Sequence, residues 1–142
     1  MKNNYEYITN GMPVPSFPKQ TNRFTVLFPE EFEINPSTIF KVSPIIMDGG
    51  SMKVDPITFY MYDPISPSTS QAINEGLRYQ RTRDDRTIQV KLNSVGPVGD
   101  IVEEWVLYGT VESVNFGEFD WSEDTHKVIQ LKFNVRKAIH NY

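Results

Sequence analysis

The chain contains no cysteine, which excludes disulfide bridges, thiolate metal sites and a cysteine nucleophile. Histidine is nearly absent as well. His126 and His140 stand in no His-x-x-Glu or comparable spacing, so both read as surface histidines rather than metal ligands. No apolar run approaches the roughly 18 residues of a membrane span, and the opening Met1-Lys2-Asn3-Asn4-Tyr5 has no apolar signal core. The expectation is a protein that acts in the cytoplasm where it is made, or in a particle assembled there. Positive charge is the minority sign, 14 Lys and Arg against 18 Asp and Glu for a net charge of -4. That balance argues against a general nucleic-acid coat, whose affinity comes from phosphate neutralisation, but suits a surface that DNA slides past. No serine lies in a Gly-x-Ser-x-Gly elbow, and Asp48-Gly49-Gly50-Ser51 lacks the Gly-Lys-Ser/Thr ending of a phosphate loop, so it reads as a turn. Without a nucleophile, base or metal constellation, the expectation is a protein that is not an enzyme and carries no cofactor.

What is present points to one β-rich domain. At 142 residues the chain can bury a single core. Residues 1–22 are polar and interrupted by Gly11, Pro13, Pro15 and Pro18; because proline removes a backbone donor and fixes φ, they read as an extended N-terminal arm, held by a neighbouring subunit or folded back on its own domain. Residues 23–142 form the domain. Strands are expected at Arg23 to Phe28, Thr38 to Val42, Ile57 to Tyr62, Arg86 to Leu92, Trp105 to Phe116 and Lys127 to Ile139. In the last of these, Ile129, Leu131, Phe133 and Val135 alternate with Gln130, Lys132, Asn134 and Arg136, the period of two that buries one face. The Trp105 strand differs, because Trp105, Leu107 and Val111 share one face while Val106, Tyr108, Val114 and Phe116 share the other. Both faces then need cover, part of it from a second copy.

Ser68-Thr69-Ser70-Gln71 has the form of a capping box, with Ser68 and Gln71 reciprocally satisfying backbone donors. It opens a helix running to about Gln80 with Ala72, Ile73 and Leu77 as its apolar stripe. Gly76 inside that helix costs about 1 kcal/mol relative to Ala, tolerable where the backbone approaches something closely. Between the second and third strands, Ile45, Ile46, Met47, Met52 and Val54 surround Asp48-Gly49-Gly50-Ser51, turn chemistry that permits positive φ.

Acidic pairs occur at Glu30-Glu31, Asp84-Asp85 and Glu103-Glu104, but neighbours on a strand point to opposite faces, which disqualifies Glu103-Glu104 as a catalytic pair. Glu118, Asp120, Glu123 and Asp124 cluster on one corner, where a structural role outweighs a calcium site because the spacing is not that of an EF-hand. Arg78, Arg81, Arg83 and Arg86 form the basic concentration, interrupted by Asp84 and Asp85. A solvated face, pairing between subunits, and DNA binding follow in that order. Trp105 reads as core, while Trp121 stays open between stacking anchor, subunit contact and ligand platform.

The order of these segments resembles the tail-tube proteins of contractile-tailed phages. The points of match are Ile57-Thr58-Phe59-Tyr60-Met61-Tyr62, the Ser/Pro-rich entry to one short helix, and the strand Glu104-Trp105-Val106-Leu107-Tyr108-Gly109. After them come the corner Ser113-Val114-Asn115-Phe116-Gly117-Glu118-Phe119-Asp120-Trp121-Ser122 and a closing strand. The likeness spans residues 22–139 and implies an antiparallel β-sandwich or partly open β-barrel with one flanking helix. It further implies a structural subunit of a virion tail, assembled in the host cytoplasm into stacked rings of six copies. Such rings enclose a channel that DNA traverses during ejection without specific binding, and their partners are further copies, tail sheath and baseplate proteins, with no membrane contact. Under that resemblance Tyr5, Tyr7, Phe17, Ile45, Ile46, Met47 and Met52 are candidates for stacking between rings, and Thr110, Glu112, Gln130 and Asn134 for the channel wall. The alternatives are a baseplate or tube-end relative of the same fold, or a small β-barrel that binds sugar or peptide on Trp121 and Tyr108.

Overall fold

The computed structural model describes residues 18–122 and 124–141; the stacking candidates Tyr5, Tyr7 and Phe17 therefore lie outside the described residues. The described residues form six strands, β1 Phe24–Leu27, β2 Ile39–Val42, β3 Ile57–Tyr62, β4 Ile88–Val95, β5 Ile101–Asn115 and β6 Val128–Asn141, with one α-helix, α1 Thr69–Thr82. All pair antiparallel in a single sheet of order β1-β4-β5-β6-β3-β2. The sheet curls until its two outer strands face each other across a cleft of ≈ 600 Å³, with Phe24 of β1 on one side and Phe40 and Val42 of β2 on the other. One curled sheet makes this a nearly closed barrel rather than a sandwich.

The period-two alternation of β6 fixes the centre of the core. Ile129, Leu131 and Phe133 stand opposite Met61, Phe59 and Ile57 of β3, and all six side chains are completely buried. Each such burial contributes about 1.5–3 kcal/mol. Leu107, Val90 and Ile88 extend the same inner face across β5 and β4.

Strand β5 is not the doubly apolar strand its sequence suggests. Its pairing with β6 shifts between Tyr108 and Gly109, where the extra residue is on β6, and again between Val111 and Ser113, where it is on β5; each bulge resets the side-chain alternation of the strand that carries the extra residue. Glu112 is the extra residue of the second bulge. Beyond it Val114 stands opposite the buried Leu131 and packs, with Phe116, against the core. Only Val106 and Tyr108 therefore remain as apolar residues of the outer face, which removes much of the reason to expect cover there from a second copy. At the first bulge Gly109 approaches the Asn134 carbonyl so closely that a Cβ would collide with it, and Arg136, the extra residue on β6, reaches to the Asp85 carbonyl at 2.8 Å and Thr87 Oγ1.

Helix α1 starts on half of the expected capping box. Ser68 Oγ accepts from the Gln71 amide at 3.2 Å. In place of the reciprocal glutamine bond, Asp63 Oδ1 accepts from the Thr69 and Ser70 amides at 3.0 and 3.1 Å, which places an anion at the positive end of the helix dipole. Ile73 and Gly76 form the buried face. A Cβ on Gly76 would overlap the ring of Phe32, which is itself completely buried at the end of the short 3-10 turn Glu30–Phe32. The glycine exists to let the helix rest on that ring.

Candidate functional site

The four channel-wall candidates converge on the outer face of the β5–β6 hairpin. Thr110 is paired with Asn134, Gln130 stands opposite Asn115, and Glu112 binds Lys132 Nζ at 3.1 Å beside them. The β6 part of the face is polar because it is the even-numbered half of the alternation that buries Ile129, Leu131 and Phe133 on the other side. The Glu112 carboxylate and Lys132 ammonium cancel, so the set of Thr110, Glu112, Gln130, Lys132 and Asn134 carries no net charge.

Both hairpin strands outlast their neighbours. β4 follows β5 only as far as Ile88 opposite Gly109, and β3 follows β6 only as far as Ile57 opposite Phe133. Beyond Gly109, the β4 side of β5 is closed at one residue by a side chain: the Gln80 amide of α1 accepts from the Val111 N–H at 2.8 Å and donates to the Val111 carbonyl at 3.4 Å. On the β3 side, residues 134–141 of β6 have no strand partner among the described residues. An unpaired row of backbone donors and acceptors is a template for another strand.

The stacking candidates of the β2–β3 connection lie around a small hairpin closed by a bridge between Met47 and Val54. Ile46, Met47 and Met52 are exposed, whereas Ile45 packs against the core. The positive φ expected at Gly49 or Gly50 falls instead on Met52, at 60°, because Asp48 Oδ2 accepts from both the amide and hydroxyl of Ser51 at 2.8 Å and holds the glycines in ordinary conformations. These bonds, the backbone one foremost, lower the pKa of Asp48.

The acidic corner behaves as a turn. Asp120 Oδ1 accepts from the hydroxyl and amide of Ser122 at 2.7 and 2.9 Å, which lowers the Asp120 pKa, the hydroxyl contributing most. Among the described residues no group of three metal-ligating side chains is present. Trp121 and Phe119 are exposed at 106% and 90%, so Trp121 does not pack on Tyr108 to form a shared platform. In the basic run, Arg78 pairs with Glu75 at 2.7 Å, and the Asp85 carboxyl is spent on the Thr87 amide at 3.0 Å, the chief cause of its lowered pKa. No helix among the described residues is long and apolar enough to cross a membrane.

Sequence reasoning missed a cluster at the open end of the barrel. Glu103 Oε2 lies 2.6 Å from His140 Nε2 and 3.3 Å from Lys19 Nζ, and its Oε1 accepts from Ser94 Oγ at 3.0 Å. The His140 ring stacks on Trp105 with centroids 4.2 Å apart, and Trp105, read from the sequence as core, packs partly buried against the core. Burial raises the Glu103 pKa, but the bonds from His140, Ser94 and Lys19 outweigh it and leave the group lowered. The cluster ties the segment before β1 to β4, β5 and β6 through a single carboxylate. No local signal announces it, since Glu103 and His140 are 37 positions apart.

No protein-family model matches this sequence, and no curated protein matches it. Among solved structures, the chain is similar to a component of the anti-feeding prophage baseplate at 15% identity and a TM-score of 0.59, over 89% of this chain and 97% of that one. It is also similar to a chain of an extracellular contractile injection system, the PVC sheath-tube complex in its extended state, at 13% identity and a TM-score of 0.60, over 88% of this chain and 92% of that one. The fold of this chain is thus one found in a chain of the anti-feeding prophage baseplate and in a chain of an extracellular contractile injection system.

Proposed function

We propose that this chain is a non-enzymatic structural subunit of a phage-like contractile tail, the repeating unit of the inner tube. Six copies per ring stack into a conduit within a particle assembled in the host cytoplasm, surrounded by sheath and continued by baseplate proteins. The observation that carries the reading is the likeness in fold, nearly end to end, to chains from two contractile assemblies. The hairpin supports it: the polar candidate wall residues Thr110, Glu112, Gln130 and Asn134, with Lys132, carry no net charge, and the open flank of β6 is available to a strand of the next copy. Duplex DNA carries one charge per about 1.7 Å, so a wall rich in cations would hold it by counterion release; pairing Lys132 with Glu112 avoids that. Exposed Ile46, Met47 and Met52 supply apolar contacts between rings.

A second reading, a baseplate or tube-end member with a different neighbour on one side, is favoured by the likeness to a baseplate component. Negative-stain microscopy and sedimentation of the purified protein over a wide concentration range test the first reading. Rings that grow into tubes support it. Single rings that never stack support the second, and a strict monomer that does not grow on adding baseplate components overturns both.

A further inference from the structure

The corner between β5 and β6 and the end of α1 are complementary in shape and charge. At the corner, Trp121 and Phe119 project with almost no cover from their own domain, and an indole of this size is the side chain most often found carrying an interface. Glu118, Asp120 and Asp124 surround them, exposed, and among the described residues none has a cation within ion-pair distance. The backbone here is fixed before any encounter. Asp120 holds Ser122, Asn115 Oδ1 accepts from the Gly117 amide at 2.9 Å, and the Lys127 ammonium sits 4.2 Å from the centre of the Phe119 ring. Preorganisation of this kind lowers the entropy lost on docking.

The other half is a cleft of ≈ 440 Å³ where Tyr79 and Arg83 of the α1 end face Leu27, Phe28, Ile88 and Lys91. Its floor is apolar, with Leu27 exposed at 44%, and its rim carries the cations Arg83 and Lys91, with Arg81 in the last turn of α1 and Arg86 shortly after it in the chain. Among the described residues, Arg81, Arg83, Arg86 and Lys91 have no carboxylate within ion-pair distance. Arg83 is already positioned: its Nε donates to the Thr87 carbonyl and one terminal nitrogen to the Tyr79 hydroxyl, both at 3.3 Å. A guanidinium held in this way at the mouth of an apolar cleft suits the face of an incoming indole.

We propose that the acid-flanked Trp121 of one copy docks into this basic-rimmed cleft of the next. The inference rests on the ring-forming reading above and assigns one of its contacts. The two patches are different surfaces of the same chain, so the contact is head-to-tail, the kind that closes into a ring by rotation. Charge complementarity selects a second copy as the occupant and fixes its orientation.

The test uses three sets of surface variants, with circular dichroism to confirm that each folds like the parent. Trp121→Ala raises the concentration needed for ring assembly at least about tenfold, in line with the loss of a central interface anchor. Glu118→Lys with Asp124→Lys, or Arg81→Glu with Arg83→Glu, abolishes assembly when either pair is made alone. All four changes in one chain restore it, as does mixing the two double variants, because the reversed corner then meets a reversed cleft. Sedimentation and microscopy read the outcome. Rings that form unchanged in Trp121→Ala and in both reversals overturn the docking contact and leave the tube reading intact. A parent chain that forms no rings overturns both. Binding of duplex DNA by the parent at micromolar concentration, with steep salt dependence and loss in the arginine variants, assigns the cleft to nucleic acid and also sinks the proposal.

Discussion

Replacing Gly76 with alanine tests the contact on which the helix rests. In an unconstrained helix the change would stabilise by about 1 kcal/mol, because glycine loses more backbone freedom than alanine on folding. Here the new methyl would overlap the Phe32 ring, and overpacking of a filled core costs about 1–3 kcal/mol. The upper part of that range applies, since Phe32 is completely buried and its ring is already set against Phe28 with centroids 5.7 Å apart. The net expectation is a loss of roughly 1–2 kcal/mol, or a fall in Tm of about 3–8 °C for a chain of this size. Thermal unfolding by circular dichroism or calorimetry measures it. Phe32→Leu should recover part of the loss in the Ala background, a coupling that only residues in contact show. A Gly76→Ala chain that unfolds at or above the parent temperature would refute the reasoning, because helix propensity would then have decided the sign.

Three further outcomes are expected. Gln80→Leu strips the amide that closes the β5 flank and leaves Val111 N–H and C=O unpaired, costing about 1–3 kcal/mol and speeding hydrogen exchange at Val111; unchanged exchange there would contradict the role. Phe133→Ala or Leu131→Ala should destabilise by about 2–5 kcal/mol, while Gln130→Ala on the outer face stays within roughly 0.5 kcal/mol, and comparable losses at all three would show the face assignment to be in error. Because folding lowers the Glu103 pKa below its usual 4.5, the stability it contributes is fully present above that value and is lost as pH falls through the lower, folded value. The stability difference between parent and Glu103→Gln should therefore persist at neutral pH and vanish in acid once the pH has fallen below the folded value; a difference unchanged in strong acid would rule the linkage out.

The parts of the fold legible in the sequence are those where one physical rule acts alone. β3 alternates throughout, and β6 alternates from Ile129 to Val135, because each buries one face there; the bounds Ile57–Tyr62 expected for β3 match the structure residue for residue. β5 misleads because the extra residue Glu112 resets its alternation, and a bulge leaves no mark in a hydrophobicity pattern. The helix start was half legible: Ser68 caps as its spacing requires, while Asp63, reaching in from the end of β3, does the rest. Gly76 signalled a close approach without naming Phe32. Among site residues, the polar set on the hairpin follows from alternation, whereas the Glu103, Ser94 and His140 cluster depends on strand register, which no local spacing encodes. The Gln80 bond to Val111, across 31 positions, is hidden for the same reason.

Although β6 is the last described strand in the chain, it occupies the middle of the sheet. On one side stand β1, β4 and β5, on the other β2 and β3, and among the described strands only β6 hydrogen-bonds the two halves together. During synthesis β3 must therefore wait for its partner, since Ile57 pairs with Phe133, 133 − 57 = 76 positions later. At about 5–20 residues per second, that interval is roughly 4–15 s. Through it Ile57, Phe59 and Met61 face water instead of the core, and pairing over so long a separation is intrinsically slow once the strand has been made. A β6 strand from another nascent copy fits the same gap, so the place where correct closure is decided is also the place where strand-swapped pairs begin.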